Sequence, residues 1–176
     1  MPADYKKAKR LGELLIEYGV LKPEHLDEAL AIQKKEGGLL GEILVKRGFV
    51  TEENVVVALA EQLDYPYLPV PNFVPSAAAV KALPAALAVE YVCVPVDKVG
   101  QTLSVVMSDP TNQTAVREIE RASGCRVQAF VGLISEITAA IERAYKRKPG
   151  EAQLTKLEER LKRVLHQAVN SKKPQP

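Results

Sequence analysis

Arg10–Gln33, RLGELLIEYGVLKPEHLDEALAIQ, and Leu39–Gln62, LLGEILVKRGFVTEENVVVALAEQ, are two copies of one unit separated by the spacer Lys34–Gly38. They superpose without a gap. Leu11 falls on Leu40, Gly12 on Gly41, Glu13 on Glu42, Leu15 on Leu44 and Gly19 on Gly48. Glu24 then falls on Glu53, Ala29 on Ala58, Leu30 on Leu59 and Gln33 on Gln62. Two copies are too few for a solenoid, which needs about three or more repeats to bury a continuous core. Two copies packed on one another imply a local two-fold instead, and a two-fold suits a ligand that has one itself.

Each copy reads as a helix–turn–helix-like hairpin. An apolar run, Leu14–Ile16 and Ile43–Val45, precedes Gly19 and Gly48, which stand where a helix ends in the left-handed conformation that glycine adopts cheaply. The second helix of each copy starts at KPEHLDEAL and TEENVVVAL. Thr51 is the cap of the latter, and Pro23 sits at an early helical position where its missing N–H does no harm. Leu26, Leu30 and Gln33 share one helical face, repeated by Val55, Leu59 and Gln62. Two hairpins sharing a core would explain the leucines. A core does not require a glutamine at the end of the apolar face in both copies.

After Gln62 the composition changes. Leu63–Pro75 carries Pro66, Pro69, Pro71 and Pro75 and reads as an ordered connector anchored by Tyr65, Tyr67 and Phe73. SAAAVKALPAALAVEY gives short helices, with Ser76 as a cap and Pro84 opening the next turn. VCVPVDKVGQTLSVVM reads as a hairpin turning at Lys98–Gln101. TNQTAVREIERASG is an amphipathic helix stopped at Gly124, CRVQAFVG a third strand, and SEITAAIERAYKR a helix capped by Ser135. The order predicts helices on one side of a short sheet. Beyond the break at Lys148–Gly150, Leu154, Leu157, Leu161, Val164, Leu165 and Ala168 form one amphipathic face, which docks on its own domain or pairs with a partner. The fold class is therefore α+β: a helical tandem-repeat subdomain (1–64), a small α+β subdomain (65–147), then a linker, a C-terminal helix and a disordered KKPQP end (148–176). Residues 1–8 form a polar lead-in.

The bulk properties exclude several functions. A net charge of +2, with Lys146, Arg147, Lys148, Lys172 and Lys173 all after the repeats, argues against a basic nucleic-acid surface. No apolar run approaches the roughly 20 residues that span a bilayer, and MPADYKKAKR has no signal core behind it. Cys93 and Cys125 lack metal spacing and lie among apolar residues, as buried thiols in a reducing cytoplasm do. His25 and His166 have no companions, so no metal is expected. There is no GxxxxGK[ST] loop and no nucleophile–base set, so the chain is read as non-enzymatic.

Arg10, Leu11, Gly12, Leu15, Leu26, Leu30 and Gln33, the five-residue spacer and the second copy together resemble the MshEN domain. That is the cyclic di-GMP-binding N-terminal domain of type II secretion and type IV pilus assembly ATPases. The strand–Asp-Pro–helix–strand–helix order of the second half is similar to the same family, so the resemblance covers about residues 8–147. It implies that each copy grips one half of the dinucleotide. The implied ligand residues are Arg10, Leu11, Gly12, Leu15, Leu26, Leu30 and Gln33, with Leu39, Leu40, Gly41, Leu44, Val55, Leu59 and Gln62. Leu39 stands where the resemblance expects a second arginine, and Val55 where it expects a leucine. A leucine cannot imitate a charged, forked donor.

The residue types suit such a ligand. Arginine pairs bidentately with a phosphate or with the acceptor edge of guanine. A glutamine amide both donates and accepts, so it can meet a guanine edge. Leucines supply apolar surface against base and ribose. Asp109, in SDPTN, is commonly a turn or helix cap in such a setting, yet a carboxylate there could orient Arg10 or accept a guanine N–H.

The resemblance therefore implies a cytoplasmic cyclic di-GMP receptor, free-standing without the motor domain, read by a protein of the secretion, pilus or motility machinery. An interaction module of the same fold that has lost its ligand is the alternative that Leu39 favours. A DNA-binding helix–turn–helix would need a basic recognition face, whereas EHLDEAL and EENVVVAL are acidic or apolar.

Overall fold

The computed structural model describes residues 10–171. The polar lead-in, the KKPQP end and the side chains of Leu165, His166 and Ala168 lie outside the described residues. The chain divides into two compact units. One reaches to Asp64 and includes the chain from Lys162; the other is Tyr65–Leu161.

The first unit holds α1 (Leu11–Glu17), α2 (Pro23–Glu36), α3 (Leu40–Lys46) and α4 (Glu52–Leu63). The helix ends follow the local chemistry. Gly19 and Gly48 take φ of +72° and +74° just after α1 and α3, which a side chain would resist. At the start of α4, the Asn54 N–H donates to Thr51 Oγ1 at 3.1 Å, and the Thr51 N–H donates to Asn54 Oδ1 at 3.0 Å. Lys22 offers no side-chain cap to α2, and Pro23 in the first turn spares one donor.

The helices pack by exchange. α1 of the first repeat lies on α4 of the second, and α2 of the first lies on α3 of the second. This reciprocity is the local two-fold that a tandem repeat implies. Leu15 and Leu44 are fully buried, as are Ala29 and Ala58. The repeats are also joined by polar and aromatic contacts. The Tyr18 hydroxyl donates to Glu61, and Arg47 Nη2 lies 3.6 Å from Glu28 Oε1. The lone His25 stacks on Phe49, with ring centroids 4.1 Å apart.

The repeated glycines allow close approach of the helices. A Cβ at Gly12 would lie 2.6 Å from Leu26 Cδ1, and one at Gly41 would lie 2.6 Å from Val55 Cγ1.

The second unit opens with the connector, a 3-10 turn at Val70–Asn72, then α5 (Ala77–Ala82) and α6 (Ala85–Tyr91). β1 (Cys93–Val99) and β2 (Thr102–Met107) form an antiparallel hairpin. α7 (Gln113–Ser123) then carries the chain to β3 (Arg126–Val131), which pairs with β2 in parallel. α8 (Ile134–Tyr145) and α9 (Glu151–Ser171) follow. Pro95 is tolerated because β1 is an edge strand with a register shift beside it, between Pro95 and Asp97. The other edge, β3, is blunted. The Val127 N–H donates to Glu120 Oε1 at 3.0 Å, the Val131 N–H donates to Pro66 O, and the Leu68 N–H donates to Val131 O.

Three sequence expectations change here. Successive residues Cys93–Val96 and Val105–Met107 are all buried, although neighbours on a strand point to opposite faces. The sheet is therefore covered on both faces at this end, not on one side. Ser135 is not a cap: α8 begins at Ile134, after Leu133. Phe73 does not anchor the connector, being 43% exposed, while Val70 is buried and Leu68 is tied to β3. Of the two options left open for the helix after Lys148–Gly150, residues up to Leu161 take the first and dock on the α+β unit. Leu157 and Leu161 join the core of the α+β unit, and Lys156 Nζ lies 2.8 Å from Glu90 Oε1.

Two stability series test this packing. Gly12→Ala should be close to neutral, because the flexible Leu26 can swing away and alanine favours a helix by about 1 kcal/mol. Gly41→Ala should cost about 1–2 kcal/mol, because the branched Val55 is stiff. Leu157→Ala should destabilise the α+β unit by about 2–4 kcal/mol. Urea unfolding monitored by circular dichroism measures both series.

Candidate functional site

The two repeats place their first residues in equivalent positions. Arg10 is the N-cap of α1, with φ −71° and ψ 155°, and Leu39 is the N-cap of α3, with φ −84° and ψ 133°. Both helices are seven residues long. Side chains at these positions therefore leave the backbone in related directions, one ending in a guanidinium and the other in an isobutyl group. Arg10 is exposed and Leu39 half-buried. The Arg10 N–H donates to Glu13 Oε2 at 2.9 Å, which fixes the start of α1. Among the described residues nothing pairs with its guanidinium.

The glutamines at the ends of α2 and α4 differ in state. Gln33 is half-buried and donates its amide hydrogen to Gly38 O at 3.1 Å, closing the spacer back onto α2. Gln62 is buried, and its Oε1 has no hydrogen-bond partner among the described residues. An unsatisfied buried carbonyl costs about 1–3 kcal/mol, so this oxygen is suited to a donor from elsewhere.

The remaining expected residues separate by burial. Leu15 and Leu44 have no exposed surface, Leu11 is buried, and Gly12 and Gly41 lie under Leu26 and Val55. The side chains of Leu11, Leu15 and Leu44 and the close approach at Gly12 and Gly41 frame the unit. Leu30 is 42% exposed, while Leu26, Leu40, Val55 and Leu59 are half-buried, so these offer apolar surface.

Asp109 is occupied within its own unit. Its Oδ1 accepts from the Thr111 N–H at 3.0 Å and the Thr111 hydroxyl at 2.5 Å, and Oδ2 accepts from Arg160 Nε at 2.6 Å. It is thus a turn residue and the buried half of an ion pair that pins α9. Arg160, fifty-one residues away, was not legible as its partner. The cross-repeat pairs Tyr18–Glu61 and Glu28–Arg47 were not legible either: Tyr18 falls on Arg47 in the superposed copies, but their acidic partners do not fall on one another. The Tyr18 hydroxyl is pushed up to about 12, first by burial and then by its bond to Glu61, so it is a neutral donor at neutral pH.

Among the described residues no group of three His, Cys, Asp or Glu side chains could hold a metal ion. None of the described helices is long and apolar enough to cross a membrane.

Comparison with known proteins falls on both halves of this architecture. The chain is 32% identical over 139 residues to the type IV pilus assembly ATPase PilB of Myxococcus xanthus, a match covering 79% of the chain and 25% of that protein. It is 33% identical over 189 residues to the protein of the same name from Thermus thermophilus, covering 87% of the chain and 21% of that protein. The chain thus spans about a quarter of the length of these relatives or less. Among solved structures, that of MshE with cdg superposes with a TM-score of 0.64 at 29% identity, over 78% of this chain and 99% of that one. The N-terminal domain of XpsE follows with a TM-score of 0.54 at 28% identity, over 76% and 92%. The family described as the MshEN domain matches residues 63–151, the α+β half with the end of α4 and the first residue of α9. With that match over half its length, the chain belongs to the MshEN domain family.

Proposed function

We propose that the chain is a non-enzymatic receptor module for cyclic di-GMP, the dinucleotide abbreviated in the name of the MshE structure. The exchanged packing of the two repeats carries this reading. It sets two equivalent helix starts, Arg10 and Leu39, in a frame made by Gly12, Gly41, Leu15 and Leu44. A ligand with its own two-fold fits a frame of that symmetry. Arg10 supplies a charge-assisted fork for phosphate or guanine, Leu26, Leu30, Leu40, Val55 and Leu59 supply apolar surface, and Gln33 and Gln62 supply amides.

Ligand-dependent change in the repeats would be read by a component of a pilus or secretion machine, in the cytoplasm. The ATPase activity in the names of the PilB relatives is not assigned to these residues.

Leu39 favours a second reading, a docking module of the same fold that no longer takes a nucleotide. The two separate cleanly in a calorimetric titration with cyclic di-GMP, using GTP, ATP and cyclic di-AMP as controls. Saturable heat is expected for cyclic di-GMP alone. Arg10→Ala should weaken it by at least about tenfold, since a charge-assisted hydrogen bond contributes about 1.5–3 kcal/mol. No heat, together with no rise in melting temperature at high ligand, would remove the receptor reading in favour of the docking module.

A further inference from the structure

Granted the receptor reading, on which this inference rests, the two halves of the site are chemically unlike. The N-cap of α1 ends in a guanidinium with no partner among the described residues, and the N-cap of α3, at nearly the same backbone angles, ends in a half-buried isobutyl group. The glutamines are unlike as well. The amide hydrogen of Gln33 is engaged by Gly38, whereas the buried Gln62 oxygen has no donor among the described residues.

These differences bear on which bases fit. Guanine shows two acceptors, N7 and O6, on the edge that an arginine fork reads. Adenine replaces O6 with an amino donor, which faces a guanidinium unfavourably and satisfies a carbonyl oxygen well. Where the Arg10 fork reads a base edge, that base is guanine. A base lying against Leu39 meets no cation, and an amide that both donates and accepts can serve either purine. We propose that the Arg10 half is strict for guanine and the Leu39 half tolerates either purine. The chain then accepts a mixed guanine–adenine cyclic dinucleotide nearly as well as the symmetric diguanine one.

The test is calorimetry on the whole chain with cyclic di-GMP, the 3′,3′-linked cyclic GMP–AMP and cyclic di-AMP. The first two are expected within about threefold of each other and cyclic di-AMP at least about thirtyfold weaker, the scale of one lost bidentate base contact. Leu39→Arg should strengthen cyclic di-GMP by about tenfold or more while leaving the mixed ligand unimproved. The ranking in the unmodified chain decides the matter even if that variant folds poorly. A mixed ligand as weak as cyclic di-AMP would overturn the asymmetry. So would a Leu39→Arg chain that gains equally for both guanine-containing ligands, since the cation would then serve a phosphate. Binding of cyclic di-GMP in either case leaves the receptor reading standing, whereas silence of all three ligands removes it and this inference together.

Discussion

A methyl group at Gly41 would sit 2.6 Å from Val55 Cγ1, so α3 can lie where it does only because position 41 has no side chain. Gly12 lies as close to Leu26, whose longer side chain has more freedom to yield. This close approach brings each short helix against its neighbour, and the exchange of α1 onto α4 and α3 onto α2 completes the burial of Leu15 and Leu44. Helices of seven residues are too short to persist alone in water, where about 12–15 residues is marginal. Their existence thus depends on that packing. So does the placement of Arg10 and Leu39, which are simply the residues at which those helices begin.

The α+β unit solves a different problem. Three strands leave two edges and two faces to cover. The connector and Glu120 occupy the β3 edge, while Pro95 and the Ser76 N–H, which donates to Val96 O at 2.9 Å, limit further pairing along β1. The Tyr145 hydroxyl donates to Leu83 O at 2.9 Å and ties the end of α8 to the end of α5. α9 finishes the unit by placing Leu157 and Leu161 in its core and Arg160 on Asp109. A buried carboxylate is costly unless it is paired and hydrogen-bonded. Thr111 and Arg160 together meet that need, which accounts for a carboxylate at 3% exposure.

What the sequence disclosed was whatever depends on near neighbours. The glycines after α1 and α3, the Thr51 cap, the Ser76 cap that accepts the Ala79 N–H at 3.2 Å, and the Gly124 stop with φ +68° are local chemistry. The repeat added long-range information, because two equal halves imply a two-fold. What stayed hidden was the choice among partners. Leu15 and Leu30 are the same residue on apolar faces, yet one is fully buried and the other 42% exposed, since only tertiary packing decides which edge of a face turns inward. The amphipathic face of α9 announced a partner without naming the core it fills. The Asp109–Arg160 pair joins positions too far apart for any local pattern to connect. Ser135 misled because the extended Leu133 already marks the start of α8, with no capping side chain.

Both cysteines, Cys93 and Cys125, are buried, and both lie in the α+β unit. Burial pushes the Cys93 thiol up to about 12, so almost none of it is the reactive thiolate while the chain is folded. Alkylation must then wait for the unit to open, and where closing outpaces the reagent, the labelling rate measures the free energy of that opening. The repeat unit contains no cysteine and leaves no trace in the signal. The chain thus carries its own chemical stopwatch for one of its two units, in a protein without tryptophan to report on either.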